Sequence, residues 1–214
     1  MPRADAPSVG VRGGALLRLL RPGPWVAGAA LVATLPLGAL LAILVWLDLG
    51  RPVLFRQQRS GRGGRPFTLL KFRTMRVGTD ATGRPLPDEA RTTPFGRFLR
   101  RSRLDEWPQL LLIARGDLNW IGPRPLLPDT IAAFGTAGEA RGRVAPGLTG
   151  WAQVNGNTRL GNRSKLALDL WYVEHRTLAL DLLILWRTAT TLLRGERVDA
   201  RRVLQAIGGS GTRG

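Results

Sequence analysis

Two kinds of apolar pattern organise the chain. The first is the uninterrupted run WVAGAALVATLPLGALLAILVWL, Trp25 to Leu47, 23 residues without a charge. One helix of that length can cross a hydrocarbon core. Pro36 falls near its middle, where a missing N–H and a ring clash kink a helix. Arg3, Arg12, Arg18 and Arg21 precede the run, and Arg51, Arg56, Arg59, Arg62 and Arg65 follow it. Basic flanks favour the cytoplasmic side. A straight span violates this preference at one end, whereas a helix broken at Pro36 that enters and returns satisfies both. Residues 15–50 are therefore read as a membrane-embedded re-entrant element, with a single kinked span as the alternative. The run is too long for a signal peptide, and no small-residue cleavage site follows it.

The second pattern is shorter and more broken. VLF and FTLLKF read as strands joined by a glycine turn at Gly61–Gly64. Residues 77–90, rich in Gly, Pro and Asp, read as a loop. From Pro94, Phe95, Phe98 and Leu99 share a helical face among arginines, a pattern that suits a membrane surface or a core-facing helix with a solvated back. WPQLLLIARGDL continues as helix to near Gly116, and APGLTGWAQVNGN reads as a Gly-rich loop with short extended pieces. SKLALDLWYVEHRTLALDLLILWRTATTLL predicts two helices. Residues 1–14 are expected to be disordered, 51–200 to form a catalytic domain, and 201–214 to be a flexible tail.

Composition narrows the chemistry. There is no cysteine, which excludes thiol catalysis and Cys-ligated metals. A single histidine, His175, makes a Ser-His-Asp triad or a histidine-rich metal site a poor fit. The net charge of +17 arises from 32 basic and 15 acidic residues. An anionic partner follows: nucleic acid, lipid headgroups or a phosphorylated substrate. A nucleic-acid binder should show a basic platform interleaved with aromatics, or a reading helix; neither stands out.

Against this basic background, Asp105 and Glu106 sit side by side, with Trp107-Pro108 after them. Proline in a first helical turn places a helix start near Asp105, and acidic residues there suit the helix dipole. The same pair has a chemical reading. One carboxylate can attack phosphorus while its neighbour holds Mg²⁺, a hard cation that prefers oxygen ligands and phosphates. Arg97, Arg100, Arg101 and Arg103 are near enough in sequence to neutralise phosphate oxygens. The pair alone leaves helix cap and active site equally open.

The motifs in order resemble the monotopic polyprenyl-phosphate phosphoglycosyl transferases, the bacterial sugar transferases. They are the broken apolar segment through Pro36, PVLFRQQRSG (52–61), KFRTM (71–75), LDEWPQL (104–110), GD (116–117), GPRPLLP (122–128), APGLTGWAQVNG (145–156) and LDLWYV (168–173). The resemblance implies a mixed α/β fold, mostly helical with small β elements, a re-entrant membrane helix hairpin and interfacial amphipathic helices. It implies a location at the cytoplasmic face of the bacterial inner membrane, among its lipids. It further implies a ping-pong reaction with Mg²⁺. Asp105 takes the phosphosugar from a UDP-sugar and releases UMP; undecaprenyl phosphate then accepts the phosphosugar. Glu106 is the implied Mg²⁺ ligand and Arg100 a phosphate contact.

For Lys71 and Arg73 phosphate binding competes with a solvated strand face, and Arg124 is a cation stiffened between two prolines. Gln153 and Asn155 have donors and acceptors for a base, ribose or sugar hydroxyl. Asp169 has a possible part in positioning metal or substrate. The chain departs from the family at four points. RPGPW (21–25) replaces the basic-aromatic-Asp run usual before the membrane helix. Leu35 stands where a serine usually precedes the proline, so that serine's backbone hydrogen bond is expected to be missing. Arg103 replaces a usual serine, and Trp107 a common leucine. An inactive family scaffold and a lipid glycosyltransferase that releases UDP are the competing readings. Homodimerisation and the sugar's identity are left open.

Overall fold

The computed structural model describes residues 23–210. The stretch 1–14 lies outside them, so its expected disorder is not addressed. The apolar run folds as α1 (Pro24–Ala33) and α2 (Leu35–Leu49), bent by 66° at the break between them. No single helix among the described residues is long and apolar enough to cross a membrane, although the bent pair together passes by length and composition. The break falls at Thr34 rather than Pro36, which lies in the first turn of α2. There its absent N–H would have had no helical partner in any case. Leu35 makes no side-chain hydrogen bond, as expected, but the residue before it does: the Thr34 hydroxyl donates to the Ala30 carbonyl at 2.6 Å.

The two strands appear as expected. β1 (Leu54–Ser60) and β2 (Pro66–Phe72) form an antiparallel hairpin with Leu54 opposite Phe72 and Ser60 opposite Pro66. Gly63 and Gly64 take positive φ in its turn, which glycine adopts at no steric cost. The loop over 77–90 ends in one helical turn, Asp88–Arg91. α3 (Pro94–Ser102) is capped by Thr93, whose hydroxyl accepts from the Gly96 N–H at 2.9 Å.

The helix expected to start at Asp105 is divided. Leu104–Glu106 form a tight 3₁₀ turn, and α4 begins only at Gln109, running to Ala114. Two short strands, β3 (Asn119–Ile121) and β4 (Gly147–Thr149), pair in parallel. Between them lie α5 (Pro128–Ala132) and α6 (Thr136–Arg141). The stretch read as a loop after β4 contains one helical turn, α7 (Trp151–Val154), followed by the two expected helices, α8 (Asn162–His175) and α9 (Leu178–Arg194). The expected flexible tail, 201–214, is corrected over 201–210, while 211–214 lie outside the described residues. α10 (Ala200–Ser210) packs on α8 and buries Ala206. The result is mostly helix with two small sheets, in agreement with the mixed, mostly helical part of the fold class expected.

Three apolar clusters hold these pieces together. Ala27 of α1 meets Leu69, Leu112, Ile113 and Leu118, so α1 lies on β2 and α4. Leu41 and Val45 of α2 meet Phe72 and Leu99, so α2 lies on β2 and α3. The third cluster joins Trp151, Leu168, Tyr172, Ile184 and Ala206 at the C-terminal end. Each fully buried Leu, Ile or Val contributes about 1.5–3 kcal/mol. The bent pair therefore straddles the segment that carries Asp105 and Glu106, while Val32, Leu35, Leu40, Ile43 and Leu47 on its outer face are exposed.

Candidate active site

Arg103 ends α3 in the left-handed region, φ 60° and ψ 13°, unusual for an arginine. That turn reverses the chain and directs the following 3₁₀ turn inward, so Asp105 and Glu106 are both buried. Behind them Trp107 stacks on Phe72, ring centroids 6.0 Å apart. Its packing against α2 is close enough that a Cβ on Gly38 would lie 2.2 Å from the indole ring.

Three cations converge on one oxygen of Glu106. Lys71 Nζ is 2.6 Å from Oε1, Arg103 Nη1 3.5 Å and Arg124 Nη2 3.7 Å. Lys71 also stands 3.8 Å from Asp105 Oδ2. The two carboxyls are driven apart in acidity by these surroundings. For Asp105, burial outweighs the pull of Lys71, and with the charge of Glu106 holds the carboxyl above the usual range. For Glu106, burial acts in the same direction but is overcome by Lys71, Arg124 and Arg103, so this carboxyl lies below it.

Asp105 Oδ1 is buried without a hydrogen-bond partner. A buried acceptor left unsatisfied costs about 1–3 kcal/mol, unless an outside group completes it. No group of three or more His, Cys, Asp or Glu side chains suited to a metal occurs among the described residues. A metal here would be held by one or two carboxylates, which fits Mg²⁺, since that cation completes its shell with water and substrate phosphates.

The other expected residues divide into those at the pair and those behind it. Arg100 donates from Nε to Thr74 Oγ1 at 2.9 Å and contributes to the field at Asp105. Arg73 is turned away, donating to the Leu49 carbonyl at the end of α2. Gln153 is buried with Nε2 on the Leu148 carbonyl at 2.9 Å and with Oε1 unpartnered. Asn155 is fully internal: Nδ2 donates to the Trp151 carbonyl at 2.8 Å, and Oδ1 accepts from Arg187 at 2.7 Å. Asp169 is buried on Arg141, with Nε and Nη2 both 2.9 Å from Oδ2. Burial raises its carboxyl, with Arg141 opposing.

Thr74, inside KFRTM but not singled out there, orients Arg100. Two further participants carry no sequence signal of their own. Glu196 meets Arg103 at 3.4 Å from 93 residues away. Arg141 has its partners at 124 and 169. Only the fold brings these positions together.

The site is thus a buried carboxylate pair facing three cations, beside an apolar bent helix pair. The bacterial sugar transferase family model matches residues 24–195, and the chain belongs to that family. It is 46% identical over 156 residues to the uncharacterized sugar transferase EpsL of Bacillus subtilis, covering 73% of this chain and 77% of that protein. It is 41% identical over 182 residues to the UDP-glucose:undecaprenyl-phosphate glucose-1-phosphate transferase of Caulobacter vibrioides, covering 78% and 67%. It is 33% identical over 174 residues to the undecaprenyl-phosphate galactose phosphotransferase of Salmonella typhimurium, covering 72% and 37%.

Proposed function

We propose that this sugar transferase moves a sugar 1-phosphate from a UDP-sugar to undecaprenyl phosphate. It does so in two steps through Asp105, at the cytoplasmic face of the bacterial inner membrane, opening the assembly of a surface glycan. The observation that carries the reading is the buried Asp105 beside the three-cation cluster on Glu106.

In the first step a carboxylate oxygen of Asp105 bonds to the β-phosphorus. The bond from that phosphorus to the bridging oxygen breaks, and UMP leaves with that oxygen. In the second, a phosphate oxygen of undecaprenyl phosphate bonds to the same phosphorus and Asp105 is released as carboxylate. One covalent intermediate lets two bulky substrates use one site in turn. Lys71, Arg103 and Arg124 keep Glu106 ionised and supply positive charge for phosphate oxygens. Glu106, with Asp105 beside it, would hold Mg²⁺, which when bound draws charge from the diphosphate and improves UMP as a leaving group.

A bend of 66° fits a broken span as well as a re-entrant loop. Re-entry is the reading here because it keeps the basic flanks on one side.

Mg²⁺-dependent UMP release from a panel of UDP-sugars, with undecaprenyl phosphate present, tests the reaction. Release of UDP instead would favour an ordinary glycosyltransferase. Asp105→Asn should abolish the phosphosugar adduct seen by mass spectrometry, and Glu106→Gln should slow turnover severely. Full activity of Asp105→Asn would sink the mechanism. Cysteines engineered at both ends of the bent pair should label from the cytoplasm.

A further inference from the structure

The segment Gly122–Leu126 that carries Arg124 is unusual in its hydrogen bonding. Pro123 and Pro125 have no N–H, so the segment offers mainly carbonyls by which to be held. All four carbonyls from Pro123 to Leu126 accept from other parts of the chain. Pro123 takes the Gly147 N–H at 2.9 Å, and Leu126 the Ser60 N–H at 2.9 Å. The two between them are taken by side chains: Arg124 by Arg141 Nη2, and Pro125 by Arg59 Nη1 at 3.3 Å. At the near end, the Gly122 N–H donates to the Thr149 carbonyl at 2.9 Å.

Arg141 is 4% exposed and Asp169 2%. Neutralising this guanidinium explains why Asp169 is buried beside it. A buried ion pair is weak evidence for stability, because apolar residues of similar volume often do as well. Its other hydrogen bond gives it a use, since Arg141 reaches past Asp169 to the backbone of a residue whose side chain faces Glu106. Arg59 performs the same task one residue further on and is itself braced by Gln57.

We infer that Arg141, backed by Asp169, and Arg59 form a two-arginine clamp on the Arg124 and Pro125 carbonyls that positions the Arg124 guanidinium on the substrate diphosphate. They are positioning residues and act through Arg124. This rests on the proposed sugar-phosphate transfer, in which Arg124 meets the diphosphate. It also gives Asp169 a place behind the site rather than on metal or substrate.

The test is a double-mutant cycle, read both on kcat/KM for UMP release and on the affinity for UDP by calorimetry. Arg141→Lys should lower kcat/KM about 10²-fold, the cost of a small misplacement of a binding group, chiefly through KM. In an Arg124→Ala background the same change should cost no more than about twofold. Arg59→Lys is carried through the same cycle in parallel, so that the outcome does not depend on one buried substitution folding. Equal losses with and without Arg124 would overturn the clamp, because a merely structural role is indifferent to Arg124. UDP affinity that ignores Arg124 would overturn it as well. The transfer reading is judged separately: absence of UMP release by the unaltered chain counts against that reading, while the UDP-affinity cycle still decides the clamp.

Discussion

Trp107 donates its indole N–H to the hydroxyl of Thr34 at 2.9 Å, and that hydroxyl in turn donates to the Ala30 carbonyl. The residue after Glu106 is thereby tied to the bend of the apolar pair. Two departures from the family pattern meet here. Leu35 cannot make the bond that a serine before the proline would make, and Trp107 brings an indole N–H that leucine lacks. Thr34 answers both.

Thr34→Val should therefore loosen the bend and the site together. It leaves the Trp107 N–H without its acceptor, at a cost of about 1–3 kcal/mol. Thermal unfolding in detergent should move down, and UMP release with it, while Thr34→Ser should restore both. Gly38→Ala should do more damage, since its Cβ meets the Trp107 ring at 2.2 Å. Wild-type melting and turnover in Thr34→Val would mean that the bond ties nothing together.

Arg103 offers a separation of stability from activity. An L-residue in the left-handed region costs about 1–2 kcal/mol, a cost glycine does not bear. The ion pair of Arg103 with Glu196 is partly exposed and worth at most about 1 kcal/mol, and the buried Glu106 keeps Lys71 and Arg124 when Arg103 is lost. Arg103→Gly should leave stability within about 1 kcal/mol of the parent while kcat/KM falls about tenfold or more, as a charge aimed at the site is lost. A protein that melts far lower, or one with unchanged turnover, would contradict this.

What sequence could reveal followed the range of the interactions. The strand pair around Gly61–Gly64 and the helices α8 and α9 depend on local periodicity and turn chemistry, so they were legible. Asp105 and Glu106 were legible as a motif, but the chain reversal before them was not, because the left-handed Arg103 has no composition cue. α7 reads as loop in the sequence because glycines flank it. The arginines could be counted but not assigned: Arg73 serves the end of α2, whereas Arg59 and Arg141 serve a carbonyl run 66 and 17 residues away. Such pairings exist only once the chain is folded.

The C-terminal helix was hidden by its Gly-Gly-Ser-Gly ending, yet it covers a buried aromatic of the core. Arg202 lies over the Trp151 ring at 4.6 Å, and Ala206 is buried in the same cluster. Ala206→Leu should overpack this contact at a cost of about 1–3 kcal/mol, read as a lower melting temperature. Ala206→Gly should also destabilise, by up to about 1 kcal/mol. If neither moves the melt, α10 does not belong to the folded unit.

Glu196 gives the acid limit of this end of the molecule. Burial raises its carboxyl, but hydrogen bonds from Thr158 and Asn157 and the charge of Arg103 outweigh that, so its folded pKa lies below the ordinary value. A depressed carboxyl stabilises the fold fully above its unfolded pKa of about 4.3. That contribution is lost as pH falls through the lower folded value. Glu196→Gln should therefore be less stable than the parent at pH 7, and the difference should shrink as pH drops below about 4. Urea unfolding at pH 7 and at successively lower pH measures both curves. A gap that stays constant through that range would show that the Glu196 charge contributes nothing, leaving only the shape of its hydrogen bonds to account for the loss.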